Sequence, residues 1–156
     1  MKKGRTKNED LVTVGWREWL SFPELGIPAI KAKMDTGART SSLHTYAIET
    51  FYERGIEKVR FGIHPLQKRR DVALICVADV VDRRLVTDSG GHRELRYVIR
   101  SAVSLGGRMW PVEITLTNRD TMLFRMLFGR SAMSGQVIVD PCKSFATGRK
   151  PAKSYR

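Results

Sequence analysis

The strongest constraint on this chain is the length of its apolar runs. Almost all are strand-sized, alternate with polar residues and stop at a turn; sustained helical periodicity is scarce. Val12, Val14 and Trp16 alternate with Thr13 and Gly15, and Ala29 to Met34 leads into Asp35. Ala47, Phe51 and Tyr52 continue toward Val59–Ile63. Asp71–Val77 and Val80–Val81 are rich in β-formers, and Tyr97–Ile99, Pro111–Leu116 and Val137–Val139 complete the set. Turn residues separate them: Asp88-Ser89-Gly90-Gly91, Gly106-Gly107 and Asn118-Arg119-Asp120. The pattern predicts an all-β barrel or sandwich. Two hairpins are expected, turning at Asp88–Gly91 and at Gly106–Gly107, where paired glycines supply positive φ. One short helix is expected near Ser131–Ser134, closed by Gly135.

A chain of 156 residues with 42% hydrophobic content suits one domain with its own core. We place that domain at residues 11–142, with basic tails at 1–10 and 143–156. The tails carry seven of the twelve excess positive charges. Such ends are expected to be solvated, and their charge suits RNA, ribosomes or acidic peptides. No apolar run approaches the roughly 18 residues of a membrane span. The start is basic without an apolar stretch behind it, unlike a secretory signal. Cys76 and Cys142 have neither metal nor redox spacing, so a reduced, cytoplasmic protein is expected.

The segment with chemical promise is KMDTGARTSSLH, Lys33 to His44. Asp35 follows an extended, largely apolar stretch. A Thr36-Gly37 turn comes next, and then the small and hydroxyl residues Ala38, Thr40, Ser41 and Ser42. Alone, Asp-Thr-Gly is a turn signal. Downstream, however, Met126-Leu127-Phe128-Gly129-Arg130 forms a second apolar run ending in glycine, with a helix signal behind it.

Together these pieces resemble the retropepsin-like aspartic peptidases. That family carries its catalytic Asp in a DTGA loop, here Asp35 to Ala38. A glycine-rich flap hairpin follows, matched by Asp88 to Gly91, and then an apolar-apolar-Gly strand, matched by MLFGR. The longer phrase GWREWLSFPELGIPAIKAKMDTGARTSSLH is similar to small bacterial proteins once labelled ATP-dependent zinc proteases, now grouped with retropepsin-like peptidases. SGGHRELRYVI and LTNRDTMLFRMLFGRSAM are similar to the same group, and the likeness spans about residues 12 to 141. Some members are associated with ATP-grasp ligases that add glutamate to ribosomal proteins. The resemblance implies a catalytic Asp35 in a loop of Thr36, Gly37 and Ala38. It implies substrate contacts from Arg39, Ser89, Gly90, Gly91, Leu127 and Phe128, and structural support from Gly129 and Arg130. In many viral members an acid follows DTGA and pairs with the Arg after the strand. Arg39 stands there instead, so Arg130 needs another partner, and Arg39 is free to meet an acidic substrate side chain.

Hydrolysis by carboxylates needs two of them, close enough to share one proton. This chain has one such loop. A two-fold homodimer supplies the second Asp35, because an isologous interface sets the same residue on both sides of its axis. Asp88-Ser89-Gly90 is a similar triplet, but it sits at a Gly-Gly turn and reads as the hairpin tip. Two other readings stand beside the peptidase. One is a non-catalytic β-barrel that binds peptide or nucleic acid, suggested by the basic charge and Trp16, Trp19 and Trp110. The other is a zinc protease, against which HExxH is absent and His44, His64 and His92 are scattered. No metal or cofactor is expected.

Overall fold

The computed structural model describes residues 10–67, 69–88, 90–118, 123–148 and 155. Twelve strands occur among them. The first four are β1 (Val12–Val14), β2 (Arg17–Phe22), β3 (Ile27–Asp35) and β4 (Ser41–His44). Next come β5 (Ala47–Glu53), β6 (Ile56–Ile63), β7 (Leu74–Asp79) and β8 (Asp82–Thr87). The last are β9 (Arg93–Leu105), β10 (Arg108–Thr117), β11 (Met126–Gly129) and β12 (Val137–Val139). The short helix is α1, Arg130–Met133, and one 3-10 turn spans Pro23–Leu25.

Six strands form a ring. Neighbours run β10, β4, β11, β3, β2, β9, and β9 pairs back onto β10, so the sheet closes as a barrel. Closure between β2 and β9 rests on Ser21 opposite Ser104, beside an irregularity in β2 between Leu20 and Phe22. A local shift of this kind bends a strand enough to turn a sheet on itself. The pleat of β2 shows the sorting: Glu18, Leu20 and Phe22 are buried, while Arg17, Trp19 and Ser21 are half-buried on the outer face. Ile27, Ile30, Leu43, Ile99, Ile114, Leu116 and Phe128 fill the interior with them. The Gly106–Gly107 hairpin joins β9 to β10 as expected, and β8 extends the sheet from the far arm of β9.

The sequence pattern blurs two places. It runs β5 into β6, but Arg54 and Gly55 take φ of 54° and 81° and form a hairpin. It also reads Val80–Val81 as strand, whereas they link β7 to β8, Val80 donating to Glu57 O and Val81 to Val98 O. Strands β5, β6 and β7 make a separate three-stranded sheet, and β1 and β12 a parallel pair.

The stretch 143–148, expected to begin a solvated tail, is instead tied to the domain. Glu18 is fully buried, and its carboxylate accepts from Gly15 N (2.6 Å), Ala146 N (2.7 Å), Thr147 N (3.2 Å) and Thr147 Oγ1 (2.8 Å). Phe145 stacks near Trp19, and the Arg17 guanidinium lies over the rings of Trp16 and Phe145. The tail residues 1–9, 149–154 and 156 lie outside the described residues, as does Ser89.

Candidate active site

Asp35 is the last residue of β3, and the barrel's strand order explains why it stands where it does. Strand β11 inserts between β3 and β4, parallel to the first and antiparallel to the second. The chain from Asp35 to Ser41 must therefore cross over the end of β11. Gly129 is the register partner of Asp35 and lies under that crossing. A Cβ on Gly129 would stand 2.5 Å from the carbonyl carbon of Thr40 and 2.6 Å from its oxygen. Only glycine fits, for reasons of contact, since its φ of −93° suits any residue.

The loop is pinned along its length. Ser41 Oγ accepts the Gly129 N–H (2.9 Å), Ala38 O accepts the Arg130 N–H (2.7 Å) and Arg39 O accepts the Ser131 N–H (3.0 Å). The side chain of Arg130 donates through Nη1 to Thr36 O at 2.9 Å. This backbone carbonyl is the partner that the sequence left open. At the front of the loop, Asp35 Oδ1 accepts the Gly37 N–H at 3.1 Å, and Asp35 is half-buried while Thr36 and Gly37 are exposed. One carboxylate is thus presented on a braced turn.

Asp35 opens on a cleft of about 1560 Å³. Gly37, Ala38, Arg39 and Leu127 border it from the loop side, Pro111 and Glu113 from β10, and Arg84 to Asp88, Gly90 and His92 from the β8–β9 hairpin. The tip of that hairpin is a closed turn. Asp88 Oδ1 accepts from Gly90 N (2.9 Å) and His92 N (2.8 Å), and Asp88 exchanges a further backbone bond with His92. The cleft so gathers Asp35, Ala38, Arg39, Gly90 and Leu127, which the resemblance had named together. Thr36 is set outside it, turned to solvent, and Gly91 stands at the hairpin tip with φ of 88°. Phe128 is a correction: it is fully buried, packs edge-on to Trp110 and belongs to the core, because the pleat of β11 sends it opposite to Leu127.

Two cleft arginines were not singled out as site residues, although Arg96 lies within SGGHRELRYVI. Arg84 on β8 is held by Asp82 Oδ2 (2.7 Å) and Glu113 Oε1 (2.8 Å). Hydrogen bonding to Arg84 pulls the Asp82 carboxyl below its ordinary range. Arg96 on β9 is buried among Glu94, Ser42 and Thr115. A signal for it existed, since Arg96 shares its parity along β9 with the buried Val98, and a charge at a core-facing register asks for a partner.

Other chemistries find less. Among the described residues no group of three or more His, Cys, Asp or Glu is gathered to hold a metal ion. His64 stacks on Tyr46, His44 is buried at the end of β4, and His92 sits at the hairpin tip. Cys76 is 2% exposed, and burial pushes its thiol up to about 11, so it is a poor nucleophile. No helix among the described residues is long and apolar enough to cross a membrane.

Comparison with known proteins agrees with this geometry. Residues 13–150 match the model of the RimB-like family, described as retropepsin-like aspartic endopeptidase RimB. Curated relatives include proteins named probable alpha-L-glutamate ligase. One from Shewanella pealeana is 53% identical over 137 residues, and one from Desulfotalea psychrophila is 48% identical over 141. These alignments cover 88% and 90% of this chain, yet the chain spans only 30% of the length of either relative. A crystal structure of a Legionella pneumophila protein of unknown function (DUF785) superposes with a TM-score of 0.72 at 26% identity, covering 87% of this chain and 98% of that one. On the extent of the family match, with the crossed loop, the braced Asp35 and the closed β-barrel beside it, the chain belongs to the RimB-like family of retropepsin-like aspartic endopeptidases.

Proposed function

We propose that the protein is an aspartic-type peptidase acting as a two-fold homodimer, with Asp35 from each copy forming the catalytic pair. The observation that carries this reading is the state of the carboxylates around the cleft. Asp88 is engaged in its own turn and Glu113 is engaged by Arg84, whereas among the described residues the Asp35 carboxylate meets only the Gly37 amide. A pair that shares a proton therefore draws its second member from a second copy, and the exposed Thr36 and Gly37 suit a two-fold contact there. In the pair, the ionised carboxylate takes a proton from water while the protonated one polarises the scissile carbonyl. The hairpin around Asp88 to His92 closes over bound peptide and excludes water.

The substrate we infer is a peptide or isopeptide-like amide near acidic side chains. Arg39 borders the cleft, exposed and without an ion pair among the described residues. Support for glutamate comes from the relatives, whose names describe glutamate ligation and of which this chain matches 30%. We read the domain as the hydrolytic counterpart of an ATP-grasp ligase, working in the cytoplasm, with its basic ends available to an acidic or ribosomal partner.

The test is cleavage of a broad peptide library, glutamate-rich members included, by wild type and Asp35→Asn across a pH series, with and without chelator. Loss of about 10²- to 10⁴-fold in the variant is expected. Cleavage that survives Asp35→Asn overturns the mechanism, and activity removed by chelator and restored by zinc points to metal chemistry instead.

A further inference from the structure

Arg96 is 6% exposed and sits on the return arm of the hairpin, bordering the cleft. Its Nε donates to Glu94 Oε1 at 2.8 Å, and its Nη1 to Ser42 Oγ at 2.9 Å and Thr115 Oγ1 at 3.3 Å. These neighbours are fixed in turn. Thr115 Oγ1 donates to Ser41 O (2.8 Å), and Thr117 Oγ1 donates to Glu94 Oε1 (3.0 Å). The plane of the guanidinium is thus set from three strands, β9, β4 and β10. Its third nitrogen, Nη2, finds no partner among the described residues.

Burying a cation is unfavourable, and a fold that only needed to fill this space would do better with an apolar side chain. A guanidinium held rigidly with one nitrogen left over at the edge of a cleft is a preorganised receptor for a carboxylate oxygen. The cross-strand neighbour Arg84 does not disturb this, being engaged by Asp82 and Glu113. We propose that Arg96 is a specificity-determining residue, whose Nη2 binds a carboxylate side chain of the peptide held in the cleft. The proposal rests on the peptidase reading for the source of that peptide. It is separate from Arg39, since Arg96 is buried and oriented by its network whereas Arg39 is exposed.

The test uses peptides identical except for Glu or Gln at one position, scanned along the sequence. Two measurements run in parallel: kcat/KM in the active protein, and equilibrium binding to the Asp35→Asn protein by fluorescence anisotropy. Each is made with Arg96 intact, with Arg96→Lys, and with Arg96→Met combined with Glu94→Gln, which removes the buried charge together with its partner. Thermal melts check that each variant folds. With Arg96 intact, Glu is expected to be favoured over Gln at one position by about tenfold or more. The ratio should fall toward one in the double variant and partway in the lysine variant. An unchanged ratio in a folded variant overturns the proposal, and so does an equal loss for Glu and Gln, or failure of both peptides to bind. Glu-selective, Arg96-dependent binding without any cleavage supports the proposal while removing the peptidase reading; cleavage with an Arg96-independent ratio does the reverse. Should both variants fail to fold, titrating glutarate into ¹⁵N-labelled wild type must still shift the Arg96 Nε–H resonance, and its absence overturns the assignment.

Discussion

Gly129 and Arg130 stand side by side and brace the same loop by opposite means. The glycine does so by having no side chain, because the backbone of Thr40 and Ser41 occupies the space a Cβ would take. The arginine does so by reaching Thr36 O with its guanidinium. Gly129→Ala is expected to cost about 1–3 kcal/mol or more in urea unfolding, because backbone atoms of Thr40 and Ser41 must move. An unchanged unfolding midpoint would mean that the loop yields freely. Both residues were legible in the sequence as part of MLFGR, but their reasons were not. Spacing shows that a glycine precedes an arginine; only the crossing of β3 to β4 over β11 shows what each touches. Arg96 was the least legible: it and Glu94 lie within SGGHRELRYVI, but the partners that bury it, Ser42 and Thr115, lie 54 and 19 residues away on other strands.

Among the elements, strands reveal themselves through the pleat, and β3, β9, β10 and β11 lie at or around the apolar runs of the sequence, whereas β2 (Arg17–Phe22) was not singled out as a strand. Connections are harder to read. Arg54-Gly55 gave no strong turn signal, so two strands merged into one, and Val80–Val81 have strand composition in a linking position. The segment after β12 misled most. Its composition is polar and basic, and its anchor, Glu18, lies more than a hundred residues earlier in the chain. Glu18→Gln swaps an acceptor oxygen for an amide that confronts N–H donors. The expected loss is about 1–3 kcal/mol of stability, together with faster proteolytic nicking within 143–148, read by limited digestion and mass spectrometry. If the nicking rate stays at the wild-type level, Glu18 is not what holds this segment.

At the scale of the whole molecule, the paired-Asp35 reading makes a claim about stoichiometry. When wild type and Asp35→Asn are mixed and allowed to exchange partners, dimers with one altered carboxylate should be inactive. Cleavage should then follow the square of the wild-type fraction, falling to about one quarter at an equal mixture. A linear fall to one half would show that each copy works alone. Sequence could suggest this arrangement because it displays one DTGA loop; it could not show that Asp88 and Glu113 are already engaged, which depends on how the hairpin lies against β10.

Tyr155 carries a last consequence. Its phenol accepts the Ala29 N–H at 3.0 Å and donates to the carbonyl of the same residue, while burial raises its pKa and keeps the proton in place. One side chain thereby does for Ala29 what a neighbouring strand would do, giving and taking a bond at a single position. Open strand edges are sites of self-association. The phenol acts as a stopper on β3, and removing its hydroxyl would leave a bare amide and carbonyl to recruit another chain. Tyr155→Phe is therefore expected to raise self-association, read by light scattering at increasing protein concentration.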